Sequence, residues 1–243
     1  MEWSGEGIII GTRKHGETSL IVELMTRDRG RHLGLVRGGR SRKQHAVLQP
    51  GNRIVVTWRA RLDEHLGVYT AEAVELNAAR LMIHATAVHG IQLLGELLRL
   101  LPERDPHPEL FAALEVVLMH LDTPDVAGPL MVRFELQLLE ELGFGLDLTR
   151  CAGSGRKDDL VYVSPKSGRA VNRETGEPWK DKLLPLPEFL NVGKERRCTK
   201  QDLINAFRLT TYFLNRDVWA ARGQAEPVAR AGFMAAVSRA MAD

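Results

Sequence analysis

From residue 5 to residue 76, short runs rich in Val, Ile, Thr and Leu are separated by Gly, Asp and Asn. This is the pattern of short β-strands punctuated by turns. The runs are Gly7–Gly11, Thr18–Thr26, Arg31–Val36, Arg53–Arg61 and Gly67–Leu76. In the fourth, Ile54, Val56, Trp58, Ala60 and Leu62 alternate with Val55, Thr57, Arg59 and Arg61. Successive side chains of a strand point to opposite faces, so this run predicts a half-buried strand with Trp58 on the core side. Asp28 and Gly30 supply turn chemistry, because Gly30 can adopt positive φ. Five short strands in about 75 residues predict a small closed barrel, with the five-stranded Greek-key OB barrel as the leading candidate.

The period changes at Ala78. Leu81, Ala85, Val88, Gln92 and Gly95 recur at helical spacing, which predicts one long helix ending near Leu101-Pro102. Second and third helices are expected over about Pro108–Leu121 and Pro129–Leu142, the last with proline in its first turn and Gly143 beyond its end. Residues 150–190 lose periodicity. Within them Leu160–Ser164 and Arg169–Asn172 are placed to pair as a hairpin, and Leu183–Pro187 reads as extended. Thr199 and Asp202 have capping-box spacing, opening a helix that stops at Gly223. A last helix is expected over about Pro227–Met241. The fold class expected is α+β, in four sections: a barrel over 1–78, helices over 79–149, a ribbon-like insertion over 150–190, and C-terminal helices over 191–243.

Composition is that of an ordinary globular chain, with 44% hydrophobic and 26% charged residues in 243. The start of the chain lacks the pattern of a secretory signal. No run approaches the ~18 apolar residues of a membrane span. With only Cys151 and Cys198, a disulfide framework is not expected, and the chain is assigned to a reducing cytoplasm. The net charge of +2 conceals an acidic middle. Residues 1–80 carry +4, 81–149 carry −8, 150–200 carry +5 and 201–243 carry +1. Partners respond to such local fields rather than to the total.

The strongest candidate chemistry lies at Arg37-Gly38-Gly39-Arg40-Ser41-Arg42-Lys43. With Arg27, Arg29 and Arg31 it makes seven cations between 27 and 43 against one acid, Asp28. Cations on Gly-rich backbone suit phosphate, and beside a barrel strand they suit nucleic acid. Arg59 and Arg61 either extend this basic track or pair with Glu72 or Glu23. Tyr69 is open between base stacking and core packing. Aromatics are only 6% of the chain, which favours backbone electrostatics over base readout. An apolar helical stripe near Arg99 and Arg133 suits either ordinary bundle core or a short peptide with a carboxylate end. Cys151 begins Cys-Ala-Gly-Ser, so Ser154 stands where a zinc ribbon has its second cysteine; bound metal is not expected. Phosphate-binding, dinucleotide, hydrolase and zinc-protease signatures are missing, so neither an enzyme nor a cofactor is expected. An RNA-binding OB protein and a scaffold for an acidic partner remain as alternatives.

Together, several stretches resemble the bacterial RecO recombination-mediator family along nearly the whole chain. They are Gly7–Gly16 with Glu17-Thr18, Gly34-Leu35-Val36-Arg37-Gly38-Gly39-Arg40-Ser41-Arg42, and Leu48-Gln49-Pro50-Gly51. Further on come Phe134-Glu135-Leu136 with Leu138-Leu139 through Leu142-Gly143-Phe144, then Leu148 to Cys151, and Ser164-Pro165. The resemblance implies an OB barrel, a helical domain and a zinc-ribbon-like insertion. It also implies binding of single- and double-stranded DNA, strand annealing, and help to RecA on DNA coated by single-stranded DNA-binding protein (SSB). The implied partners are RecR and the SSB C-terminal tail. Arg133 is the candidate cation for that tail, from its helix position. Zinc-binding members carry four cysteines; this chain departs from them.

Overall fold

The computed structural model describes residues 1–191 and 198–241. It divides into two compact units, Met1–Asp122 and Thr123–Asp243. The expected boundary after residue 78 differs from this division, because the helices that follow the barrel stay with it in the first unit.

In the first unit five strands close a barrel in the order β1-β2-β3-β5-β4. They are β1 (Glu2–His15), β2 (Ser19–Thr26), β3 (Gly30–Val36), β4 (Arg53–Arg59) and β5 (Val68–Glu75). Strand β1 is much longer than its hydrophobic run suggests. Its first half pairs with β4 and its second half with β2, with a register shift between Ile9 and Gly11. Such a shift bends a strand, which lets β1 serve both neighbours. The last seam is narrow: β3 meets β5 at Leu35↔Val68, reinforced by Leu35 N–H donating to Gly67 carbonyl at 3.0 Å.

The interior holds Ile9, Val22, Leu24, Val36, Leu48, Ile54, Val56, Trp58 and Tyr69. The alternation in β4 therefore predicts its core face correctly. Tyr69 is only 2% exposed, so it belongs to the core. A Cβ on Gly34 would lie 2.5 Å from the Tyr69 ring; position 34 has no side chain because the tyrosine occupies that space. Gly30 has φ +60° in the β2–β3 turn, as its sequence context predicts.

Two corrections concern helices in this unit. The long basic loop contains a helix, α1 (Arg42–Val47), whose N-cap Ser41 accepts from Gln44 N–H. The helix expected from Ala78 onward is broken. A short α2 (Ala78–Leu81) is separated from α3 (Ala85–Leu98) by extended backbone at His84, φ −111° and ψ 121°. Apolar spacing survives that break because Leu81 and Ala87 are both buried, so periodicity alone conceals it. Helix α4 (Pro108–His120) follows as expected.

The second unit opens with α5 (Pro124–Glu141), five residues earlier than its sequence suggests. Pro124, not Pro129, takes the first helical position, and Pro129 lies inside the helix. An internal proline forfeits one backbone bond, here beside buried Ala127, Gly128, Met131 and Val132. A three-stranded sheet follows, ordered β7-β6-β8, from β6 (Leu160–Val163), β7 (Ala170–Asn172) and β8 (Leu184–Pro185). A single turn, α6 (Arg173–Gly176), leaves β7. Helix α7 (Lys200–Phe213) carries the full Thr199/Asp202 capping box and runs on through a widened turn to Gly223 at φ +63°. Helix α8 (Val228–Ala240) completes the unit and packs on α5. Among the described residues no helix is long and apolar enough to cross a membrane.

Candidate nucleic-acid interface

Strand β3 separates the sequence cluster of cations into two groups. The β2–β3 turn with Arg27 and Arg29 lies at one end of β3, and Arg37–Lys43 follows the other. Seven strand residues span on the order of 20 Å. The seven cations between 27 and 43 therefore do not form one patch.

At the first end the cations are largely engaged. Arg31 is not available to a ligand: it pairs with Glu23 at 2.8 Å and donates to the Leu101 carbonyl, with its side chain 13% exposed. Arg29 stacks over Trp3, 4.8 Å from the ring centroid. Arg59 pairs with Glu2 at 2.8 Å rather than with Glu72 or Glu23. Glu23 is instead held by Arg31 and Arg99. Arg27 and Arg61 are exposed and lack a partner among the described residues. Under this end lies an aromatic cluster of Trp3, His32, Trp58 and Tyr69. Trp58 Nε1 donates to the Leu66 carbonyl and Tyr69 Oη meets His32 Nδ1 at 2.7 Å. Neither Trp58 nor Tyr69 presents a face for base stacking. Burial, with the nearby charges of Arg104 and Arg29, pushes the His32 imidazole down to about 4.

The opposite end is more open. Arg37, Arg42 and Lys43 are exposed and carry no ion pair among the described residues. Arg40 has another task. Its backbone N–H donates to the Thr18 carbonyl at 3.0 Å, and its guanidinium donates to the carbonyls of Gly16 and Glu17. Arg40 thus ties the basic segment to the β1–β2 turn. That tie brings in two cations the sequence reading overlooked, Arg13 and Lys14, both exposed and unpaired among the described residues. The register Lys14↔Leu20↔Val36 sets Lys14 two strands from Val36, about 10 Å at the usual strand spacing, with Arg37 next along the chain. In sequence these two groups are more than twenty residues apart, and only strand register reveals that they are neighbours.

The segment is anchored from below by Asn52, which is fully buried. Its Nδ2 donates to the carbonyls of Ala46 and Val47 at the end of α1, each at 2.9 Å. Its Oδ1 accepts from the Ala78 N–H at 2.8 Å, at the start of α2. One carboxamide therefore closes one helix, opens another, and fixes the far side of the basic segment to the barrel. Nothing in the local sequence around Asn52 distinguishes it from an ordinary turn asparagine.

In the second unit Arg133 is an exposed residue whose guanidinium donates to the Phe189 carbonyl and sits 6.0 Å from the Phe189 ring centroid. It is a held cation rather than a freely swinging one. The same unit has a groove of about 750 Å³ lined by Lys182, Leu183, Ile204, Arg208, Tyr212 and Met234, among others. Ile204 and Tyr212 are exposed there, and Arg208 is exposed with no partner among the described residues.

A family model described as the recombination protein O N-terminal domain matches residues 1–77, and one described as its C-terminal domain matches residues 85–222. The chain is 62% identical over 239 residues to a DNA repair protein RecO of Chelativorans sp. (strain BNC1), covering 98% of this chain and 96% of that one. It is 62% identical to the RecO of Mesorhizobium japonicum, covering 98% and 94%. It is 57% identical over 241 residues to that of Brucella abortus (strain 2308), covering 99% and 98%. With both halves matched in order and full-length identity of this size, the chain belongs to the RecO family of DNA repair proteins.

Proposed function

We propose that this chain is a recombination mediator that acts in the cytoplasm by binding nucleic acid, without catalysing a covalent step. It grips single- and double-stranded DNA by the phosphate backbone, anneals complementary strands, and with RecR helps RecA onto SSB-coated DNA. The observation that carries this reading is the group of unpaired exposed cations at one end of an OB barrel: Arg13, Lys14, Arg37, Arg42 and Lys43. Solvated cations without ion-pair partners can meet phosphates without first breaking a native contact, and releasing counterions then supplies affinity. Arg40 and Asn52 act as positioning residues. Arg27 and Arg29 lie at the other end of β3; these two, with Arg59 and Arg61, are secondary contacts for a longer or second strand, and Arg31 is structural.

The tail of SSB, acidic and apolar, suits the groove beside Arg208 and Lys182 in chemistry. Arg133 remains the second candidate for its carboxylates.

The direct test measures affinity for a labelled single-stranded oligonucleotide across salt concentrations. Neutralising about four to five phosphates gives a slope near −3 in log K against log[salt]. A flat dependence, or tighter binding to RNA of matched sequence, would overturn the assignment.

A further inference from the structure

In the insertion of the second unit, two turns of the same kind face each other. In the first, Ser154 N–H donates to Cys151 Sγ at 3.5 Å. In the second, Thr175 N–H donates to Asn172 Oδ1 at 3.0 Å. In both, a side chain at position i receives the N–H of residue i+3, the turn with which a C-x-x-C knuckle holds its metal-bound sulfur. The turns touch: a Cβ on Gly153 would stand 2.7 Å from Thr175 Cγ2. Cys151 and Asn172 are buried, 1% and 2% exposed. Cys151 Sγ donates to Asn172 Oδ1 at 3.5 Å.

Four positions therefore converge: Cys151, Ser154, Asn172 and Thr175. As a zinc centre this donor set fails. It offers one thiol, one carboxamide and two hydroxyls, where structural zinc takes thiolates and imidazoles. Among the described residues no three His, Cys, Asp or Glu side chains group as metal ligands. The spacing nevertheless matches a metal cage. Zinc–sulfur bonds of about 2.3 Å at tetrahedral angles put neighbouring sulfurs roughly 3.7 Å apart, and Cys151 Sγ and Asn172 Oδ1 stand 3.5 Å apart.

We propose that a direct Cys151–Asn172 hydrogen bond takes the place of a four-ligand metal ion in this insertion, and that Ser154, Asn172 and Thr175 occupy the three remaining ligand positions. The bond joins the chain leading into β6 to the end of β7. Ala152 N–H donating to the Ala170 carbonyl at 2.8 Å closes the same seam. A side-chain contact thus does locally what an ion does in a four-cysteine site, and it needs no metal supply.

The test has three arms on the full-length chain. The wild-type protein, prepared in zinc-containing medium, is expected to hold no stoichiometric zinc, and its melting temperature is expected to be unmoved by chelator. S154C/N172C/T175C is expected to bind one Co(II) per chain with the absorption of a tetrahedral thiolate site, and to melt lower on chelation. N172A, in the otherwise unchanged chain, is expected to lower the melting temperature without rescue by zinc, while N172D, which keeps an acceptor, retains most of it. Stoichiometric zinc in the wild type, or its destabilisation by chelator, overturns the proposal. So does a folded triple variant that takes up no cobalt, or an N172A protein as stable as wild type. Should the triple variant fail to fold, the wild-type chelation and N172A arms decide alone.

Discussion

Arg230 Nε donates to Glu135 Oε1 at 2.7 Å, and both side chains are wholly excluded from solvent. The pair joins α8 to α5 across ninety-five residues of chain. The guanidinium also meets Thr210, Thr211 and Glu226, so almost every polar atom of the pair is satisfied. Desolvation works against the charged form, but Glu135 and Glu226 hold the guanidinium firmly protonated.

Removing Arg230 leaves Glu135 buried without a counter-charge, at a cost of about 3–5 kcal/mol, whereas removing Glu135 leaves Arg230 still paired with Glu226. R230A is expected to lose that much in urea unfolding of the full chain, and E135A less. R230M combined with E135L, which removes both charges and keeps the volume, is expected to recover most of the loss. A double variant as unstable as the singles would show that the pair contributes more than mutual compensation.

Triple substitution of Arg37, Arg42 and Lys43 to alanine is expected to weaken single-stranded DNA binding for all sequences alike. It should flatten the salt slope by about 2, from three lost phosphate contacts. R13A/K14A is expected to act in the same direction, and R27A/R29A much less. Fluorescence anisotropy across salt concentrations checks all three; equal losses from both barrel ends would refute a single-ended site.

Replacing Asn52 by alanine strips two donors from the end of α1 and one acceptor from the start of α2. Leaving such groups buried and unpaired costs about 1–3 kcal/mol each. Faster amide exchange at the start of α2 and lower DNA affinity should accompany the loss, although Asn52 itself is sealed from solvent. Unchanged exchange would remove its positioning role.

The barrel is expected to weaken in mild acid through His32. Its folded value is about 4, from burial first and then the charges of Arg104 and Arg29, while an unfolded histidine titrates near 6.5. The unfolded chain therefore takes up the proton first. Stability is intact above about pH 6.5 and declines as pH falls toward 4, by at most about 3 kcal/mol. H32Q is expected to flatten this part of the pH–stability curve relative to wild type. A curve of unchanged steepness would assign the acid loss to carboxylates instead.

The barrel strands, the capping box at Thr199 and the stop at Gly223 were legible in sequence because each rests on a local pattern: alternation, a three-residue spacing, a glycine with φ +63°. The break before α3 and the early start of α5 were not, since His84 and Pro129 sit in apolar periods that continue across them. The candidate site was half legible. Arg37, Arg42 and Lys43 announce themselves by density, but density also drew in Arg31, which a carboxylate from the neighbouring strand holds. Arg13 and Lys14 were missed because only pairing register, a long-range property, sets them two strands from Leu35 and Val36.

Gly34 places a close fit in the barrel on a residue without a side chain. Adding even one methyl there drives into the Tyr69 ring, whose hydroxyl holds His32 and whose edge faces Trp3. A G34A change would therefore propagate through all four aromatic neighbours, although in composition it is among the mildest exchanges a chain can undergo.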